Sequence, residues 1–139
     1  MGQQQLLLII LGVIVVGIAV AVGITMFKDN AVSSNRDAIT NDLVNLAARA
    51  QQYYRRPAAL GGGQGAFDAS KGGVGLSNIS QLTSMKGGSN ANGSYTLTGV
   101  SATSLQIIAT GTETGNDGSN PVKVTMNVWA DSAKATVNN

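Results

Sequence analysis

The chain has 139 residues, 43% of them hydrophobic and only 12% charged, with nine basic against seven acidic side chains. So small a basic excess, with only 4% aromatics, argues against a nucleic-acid platform, which needs a basic face or stacking rings. There is no Cys and no His, which excludes disulfides, thiolate metal sites and the commonest catalytic acid–base group, and points away from an enzyme.

The first element is the uncharged run LLLIILGVIVVGIAVAVGITMF, from Leu6 to Phe27. As a helix its roughly 22 residues would span about 33 Å, matching a hydrocarbon core of about 30 Å. The run is too long for a signal-peptide core, and no Lys or Arg precedes it, so a removed signal peptide is not expected. Gly12, Gly17, Ala19, Ala21 and Gly23 punctuate it. Gly17 with Ala21, and Ala19 with Gly23, are four apart, a spacing that lets helices approach closely. A plain single-pass anchor and a helix packed on other helices both fit this pattern.

The helical reading continues past Phe27, because no Pro occurs before Pro57 and no Gly between Gly23 and Gly61. Val32, Ile39, Leu43, Leu46, Ala50 and Tyr53 follow at spacings of 7, 4, 3, 4 and 3, a narrow apolar stripe. One helix is therefore expected from about Gln4 to Tyr54, about 75 Å long. Asp29, Ser33, Ser34 and Asn35 are weak helix formers at the junction. Two readings stand there: a bend or melted turn between Gly23 and Asn35, or a straight helix with a polar patch. RRPAALGGGQG ends the helix, with Pro57 forbidding continuation and the glycines giving a flexible exit. Arg55 and Arg56 suit the helix C-terminus electrostatically.

Beyond Pro57 the chain is Gly-rich, with Leu76, Ile79 and Leu82 three apart in a short turn or cap. Then the period becomes two. SYTLTG puts Tyr95 and Leu97 on one face, SLQIIATGT puts Leu105, Ile107 and Ala109 there, and PVKVTMNVW aligns Val122, Val124, Met126 and Val128. Ala135 to Val137 would be a short last strand. These are strands of a half-buried antiparallel sheet. Its apolar face needs a cover, and the stripe of Ile39, Leu43, Leu46 and Ala50 supplies it. The expected class is α+β: a long N-terminal helix packed on a small antiparallel sheet of three or four strands. Its expected divisions are an apolar helix over 1–27, an amphipathic continuation over 28–56, a Gly-rich region over 57–92 and a sheet over 93–139.

The short motifs carry little chemistry. GGGQGAF lacks the Gly-Lys-Ser/Thr of a phosphate loop and reads as a linker. Glu113, Asn116, Asp117 and Asn120 share one loop; Glu113 and Asp117 are a weak calcium candidate, without EF-hand spacing. No cofactor is expected. Asn78-Ile79-Ser80 and Asn92-Gly93-Ser94 fit the N-glycosylation pattern, which is common by chance.

The apolar run, its continuation AVSSNRDAITNDLVNLAARAQQYY and the strands after Asn92 together resemble a type IV pilin or pseudopilin over the whole chain. The resemblance implies a structural subunit, held in the membrane by its apolar helix and moved by a pilus assembly machine into a homopolymeric helical filament at the cell surface. Apolar helices would bundle in the core and sheet domains would tile the outside, with no nucleic acid required. A single-pass membrane protein with a small binding domain, and a type II secretion pseudopilin, are the alternatives. Two features depart from the family. No basic leader precedes the run, and Gln5 stands where the family carries a glutamate thought to pair with a neighbour's terminal amine, if Met1 is the mature start. Lys28 and Arg36 follow the run. By the positive-inside rule they would leave the C-terminal part in the cytoplasm, opposite to the implied orientation.

Overall fold

The computed structural model describes residues 2–139, with Lys86 described by its backbone. Whether Met1 is the mature start lies outside the described residues. A single helix, α1 (Gly2–Arg55), is followed by four short 3-10 turns and four strands: β1 (Gly93–Thr98), β2 (Ser104–Thr114), β3 (Pro121–Trp129) and β4 (Ala133–Val137). The strands form one antiparallel sheet in the order β1-β2-β3-β4, an α+β fold of pilin-like architecture.

The 54 residues of α1 make a rod about 81 Å long. It stays helical through the polar junction at Asp29 to Asn35, so no turn melts there. Part of the reason is tertiary. Asn35 Nδ2 donates to Asn92 O at 2.9 Å, and Asn35 Oδ1 accepts from Thr112 N at 3.1 Å. A residue that would compete with the helix is thereby bonded to the sheet instead. A Cβ on Gly111 would overlap that Asn35 side chain, so the approach requires glycine.

The core lies between the second half of α1 and one face of the sheet. Ile39, Leu43, Leu46, Ala47 and Ala50 meet Tyr95, Leu105, Ile107, Ala109, Val122, Val124, Met126 and Val128, all buried. Leu97 is only half-buried at the margin of this core. Cross-strand rows explain the register: Tyr95 pairs with Ala109 and Ala109 with Val124, while Leu97 pairs with Ile107 and Ile107 with Met126. The opposite face is polar. There Gln106 Nε2 donates to Asn127 Oδ1 at 2.9 Å, and Thr98 Oγ1 to Gln106 Oε1 at 3.1 Å.

Two expectations are corrected here. The glycines after Pro57 do not form a flexible exit. Their amides close the helix: Gly63 N donates to Tyr53 O at 2.8 Å, Gly65 N to Tyr54 O at 2.7 Å and Gln64 N to Arg56 O at 3.0 Å. Terminal carbonyls that have no helical donor are thus satisfied. A Cβ on Gly63 would overlap the Ala66 carbonyl oxygen, so this close approach explains the glycine. The segment also drives Phe67, Leu76, Ile79 and Leu82 into the core, and Gly75 N donates to the Tyr53 hydroxyl at 2.9 Å. The second correction concerns coverage. A helix about 10 Å across cannot span four strands set about 4.8 Å apart. The helix and the glycine-rich segment cover β1 to β3, and β4 is exposed on both faces.

Candidate functional site

The outstanding surface is the first half of α1. Over its most apolar window none of the helix is buried against the rest of the chain. Leu6, Ile9, Val13, Val16, Val20, Ile24 and Phe27 are all more than half exposed, and Gln5 is exposed at the polar end. The helix is long and apolar enough to cross a membrane. An element apolar on every side must be buried in lipid or among similar helices. The domain at its far end is firmly attached, because the same helix runs on into the core without a break.

The small residues mark two sides of this rod. At about 100° per residue, Gly12, Ala19 and Gly23 share one side, and Gly17 with Ala21 lie about 160° away. A Cβ on Gly12, Gly17 or Gly23 would meet nothing within 4 Å. The notches are open, and nothing among the described residues fills them.

A knot of polar groups holds the rod's lower half to the sheet. Asp42 Oδ2 accepts from the Tyr95 hydroxyl at 2.5 Å and from Asn90 Nδ2 and Asn92 Nδ2, both at 2.8 Å. Partial burial alone would raise the Asp42 pKa, but the bonds from Asn92, Tyr95 and Asn90 outweigh it and hold the carboxyl below its usual range. Burial, with the Asp42 carboxylate alongside, pushes the Tyr95 phenol well above its usual value. The sequence reading missed this knot. Its partners are separated by about 50 residues, and the one local signal was an acid beside the apolar stripe.

The calcium candidate is taken up with its own loop. Asp117 Oδ1 accepts from Ser119 N and Asn120 N at 3.0 and 2.9 Å, and Oδ2 from Asn120 Nδ2 at 2.6 Å. These bonds, the Asn120 side chain first, hold its carboxyl well below the usual range. Glu113 is exposed, and among the described residues no three acidic side chains gather to hold a metal. Of the two glycosylation triplets, Asn92 spends its amide on Asp42. Asn78 is exposed and caps the turn Ile79–Gln81 by accepting from Ser80 N.

Comparison with protein-family models, with curated proteins and with solved structures finds no match for this chain.

Proposed function

We propose that the chain is a structural subunit of a helical filament of the type IV pilus kind, anchored in a membrane before assembly. The observation that carries this reading is the bare apolar half of α1, rigidly continuous with a folded domain that leaves it uncovered. In lipid the half-helix is an anchor. In a fibre it exchanges lipid for like helices, and head-to-tail contacts repeat without closing. A packed pair needs one close-packing side, whereas a polymer needs at least two. The notches at Gly17 and Ala21, and at Gly12, Ala19 and Gly23, supply two. The sheet domain, with its polar outer face, becomes the sheath. This reading assigns the chain no catalysis and no cofactor, and it leaves membrane extraction to a separate assembly machine.

The test is negative-stain electron microscopy of material sheared from the cell surface, with mass spectrometry of its N-terminal peptide. Thin fibres containing this chain are expected. Protein confined to the membrane fraction, with no fibres, would overturn the reading in favour of a single-pass anchor. The peptide also decides whether Gln5 sits at the family's glutamate position.

A further inference from the structure

The sheet meets the helix with its β2–β3 turn toward the bare half. At the far end of the domain, Gln51 Nε2 donates to Trp129 O and Ser132 O, both at 3.2 Å. At the near end Asn35 Oδ1 accepts from Thr112 N at 3.1 Å. The turn after Thr114 therefore stands beside the last turns of α1 before the domain. Between them opens a cleft of about 640 Å³, lined on the helix by Phe27, Lys28, Asp29 and Val32 and on the sheet side by Glu113 and Asn116.

The level of this cleft is set by the apolar run. With Leu6 to Phe27 in hydrocarbon, the next residues enter the headgroup layer, which is about 5–8 Å thick on each side of a bilayer. Residues 27 to 32 rise about 7.5 Å, so the cleft occupies that layer. Its chemistry is mixed. Phe27, 78% exposed, and half-buried Val32 are apolar, Lys28 is a cation, Asp29 and Glu113 are carboxylates, and all three charged side chains are exposed.

We infer that this cleft receives the headgroup of a phospholipid that carries both a phosphate and a primary ammonium, of the phosphatidylethanolamine kind. The ammonium goes to Glu113 and Asp29, the phosphate to Lys28, and the upper acyl chain lies along Phe27. Two carboxylates against one cation disfavour an anionic headgroup. A choline headgroup has no N–H to give a carboxylate and is best held by a cage of aromatic rings, where this cleft has the single ring of Phe27. Charge-assisted bonds from a primary ammonium are the stronger match. The inference deepens the proposed function for the subunit before assembly. It rests on the anchored half of that reading and is independent of the notches that would pack helices in a fibre.

The test uses the full chain in vesicles of phosphatidylethanolamine, phosphatidylcholine and phosphatidylglycerol in equal parts, all with the same acyl chains. Insertion is read by flotation. The protein is then released in mild detergent and its lipid adducts are counted by native mass spectrometry. Ethanolamine lipid is expected to exceed each of the others about fivefold. Asp29→Asn with Glu113→Gln should abolish that preference, and Lys28→Gln should reduce the adducts of all three lipids. Asp37→Asn with Asp131→Asn makes the same change of net charge at exposed positions outside the cleft and should leave the preference intact. Thermal melting of each variant shows that the domain remains folded. Soluble phosphoethanolamine should not displace the lipid, because it lacks the chains that hold the headgroup at this level; displacement would overturn the membrane source. Inserted protein with equal adducts of all three lipids would overturn the headgroup site and leave the anchor standing. So would a preference that survives the Asp29 and Glu113 changes, or one lost with Asp37 and Asp131. Protein that fails to float with the vesicles would overturn the anchor and this site together.

Discussion

The two halves of α1 share one continuous helix and nothing else. Residues 32 to 55 are amphipathic and bury a narrow stripe on the sheet; residues 2 to 27 are apolar or neutral, and residues 2 to 31 bury almost nothing. Leu43 is 0% exposed and Leu11 is 57% exposed, though both are leucines in the same regular helix. Secondary structure is therefore silent about partnership. What separates the halves is how apolar residues are distributed around the axis. A stripe is satisfied by one cover, and this chain supplies it. A full collar of apolar side chains needs cover from every side, which a domain of this size cannot provide.

The sharpest way to break that comparison is to block the bare half without touching the buried one. Gly17→Leu fills an open notch. It is expected to abolish fibres while leaving membrane insertion and the stability of the sheet domain unchanged, read by microscopy, fractionation and thermal melting in detergent. Fibres that persist would show that close approach at this side is not what holds copies together. The converse substitution, Leu43→Ala, removes a side chain at the centre of the core. It should destabilise the domain by about 2–5 kcal/mol in denaturant titration. Leu11→Ala should change that same titration by less than about 0.5 kcal/mol, because its side chain touches nothing in the folded domain.

Gly63→Ala sharpens the boundary between the buried half and the loop that ends it. The new methyl group overlaps the Ala66 carbonyl oxygen, and the glycine amides that cap Tyr53 and Tyr54 must move with it. A loss of about 1–3 kcal/mol is expected. A neutral result would show that the glycine-rich segment is loosely held after all.

How much of this could be read in the sequence follows from the range of each signal. The apolar run, the stripe from Ile39 to Ala50 and the alternation in PVKVTMNVW are local periodicities, and each gives an element directly. The packed state of GGGQG could not be read the same way. Glycine has no side chain to form a pattern, and its role here is to let amides reach the carbonyls of Tyr53, Tyr54 and Arg56. Phe67 is buried from within the same stretch without periodic neighbours to announce it. The exposure of β4 was hidden because its residues alternate as β3's do; only the width of a helix against four strands reveals it. The paired knots at Asn35 and Asp42 were illegible for a simpler reason, since both join residues far apart in the chain.

The knot at Asp42 yields the smallest effect and the one with a distinctive pH signature. Asp42→Asn keeps the shape but turns an acceptor of three bonds into a group with one acceptor oxygen and an added donor. It should cost about 1–2 kcal/mol at neutral pH. The native carboxyl has a pKa below the ordinary aspartate value of 3.8, so the folded state binds the proton less readily than the unfolded chain. The stabilisation is therefore present in full above the unfolded pKa and is lost as pH falls from there through the native value. Asp68 and Asp117 shift in the same direction, so the whole chain should lose stability on acidification, and Asp42→Asn should lose less. The difference between the two proteins should shrink as pH falls through that window. At the alkaline end the raised Tyr95 pKa acts with the opposite sign: its contribution is present below the unfolded value of 10.0 and fades above it. A difference that stays constant across the acid window would mean that the amides of Asn90 and Asn92, not the charge of Asp42, hold the helix to β1.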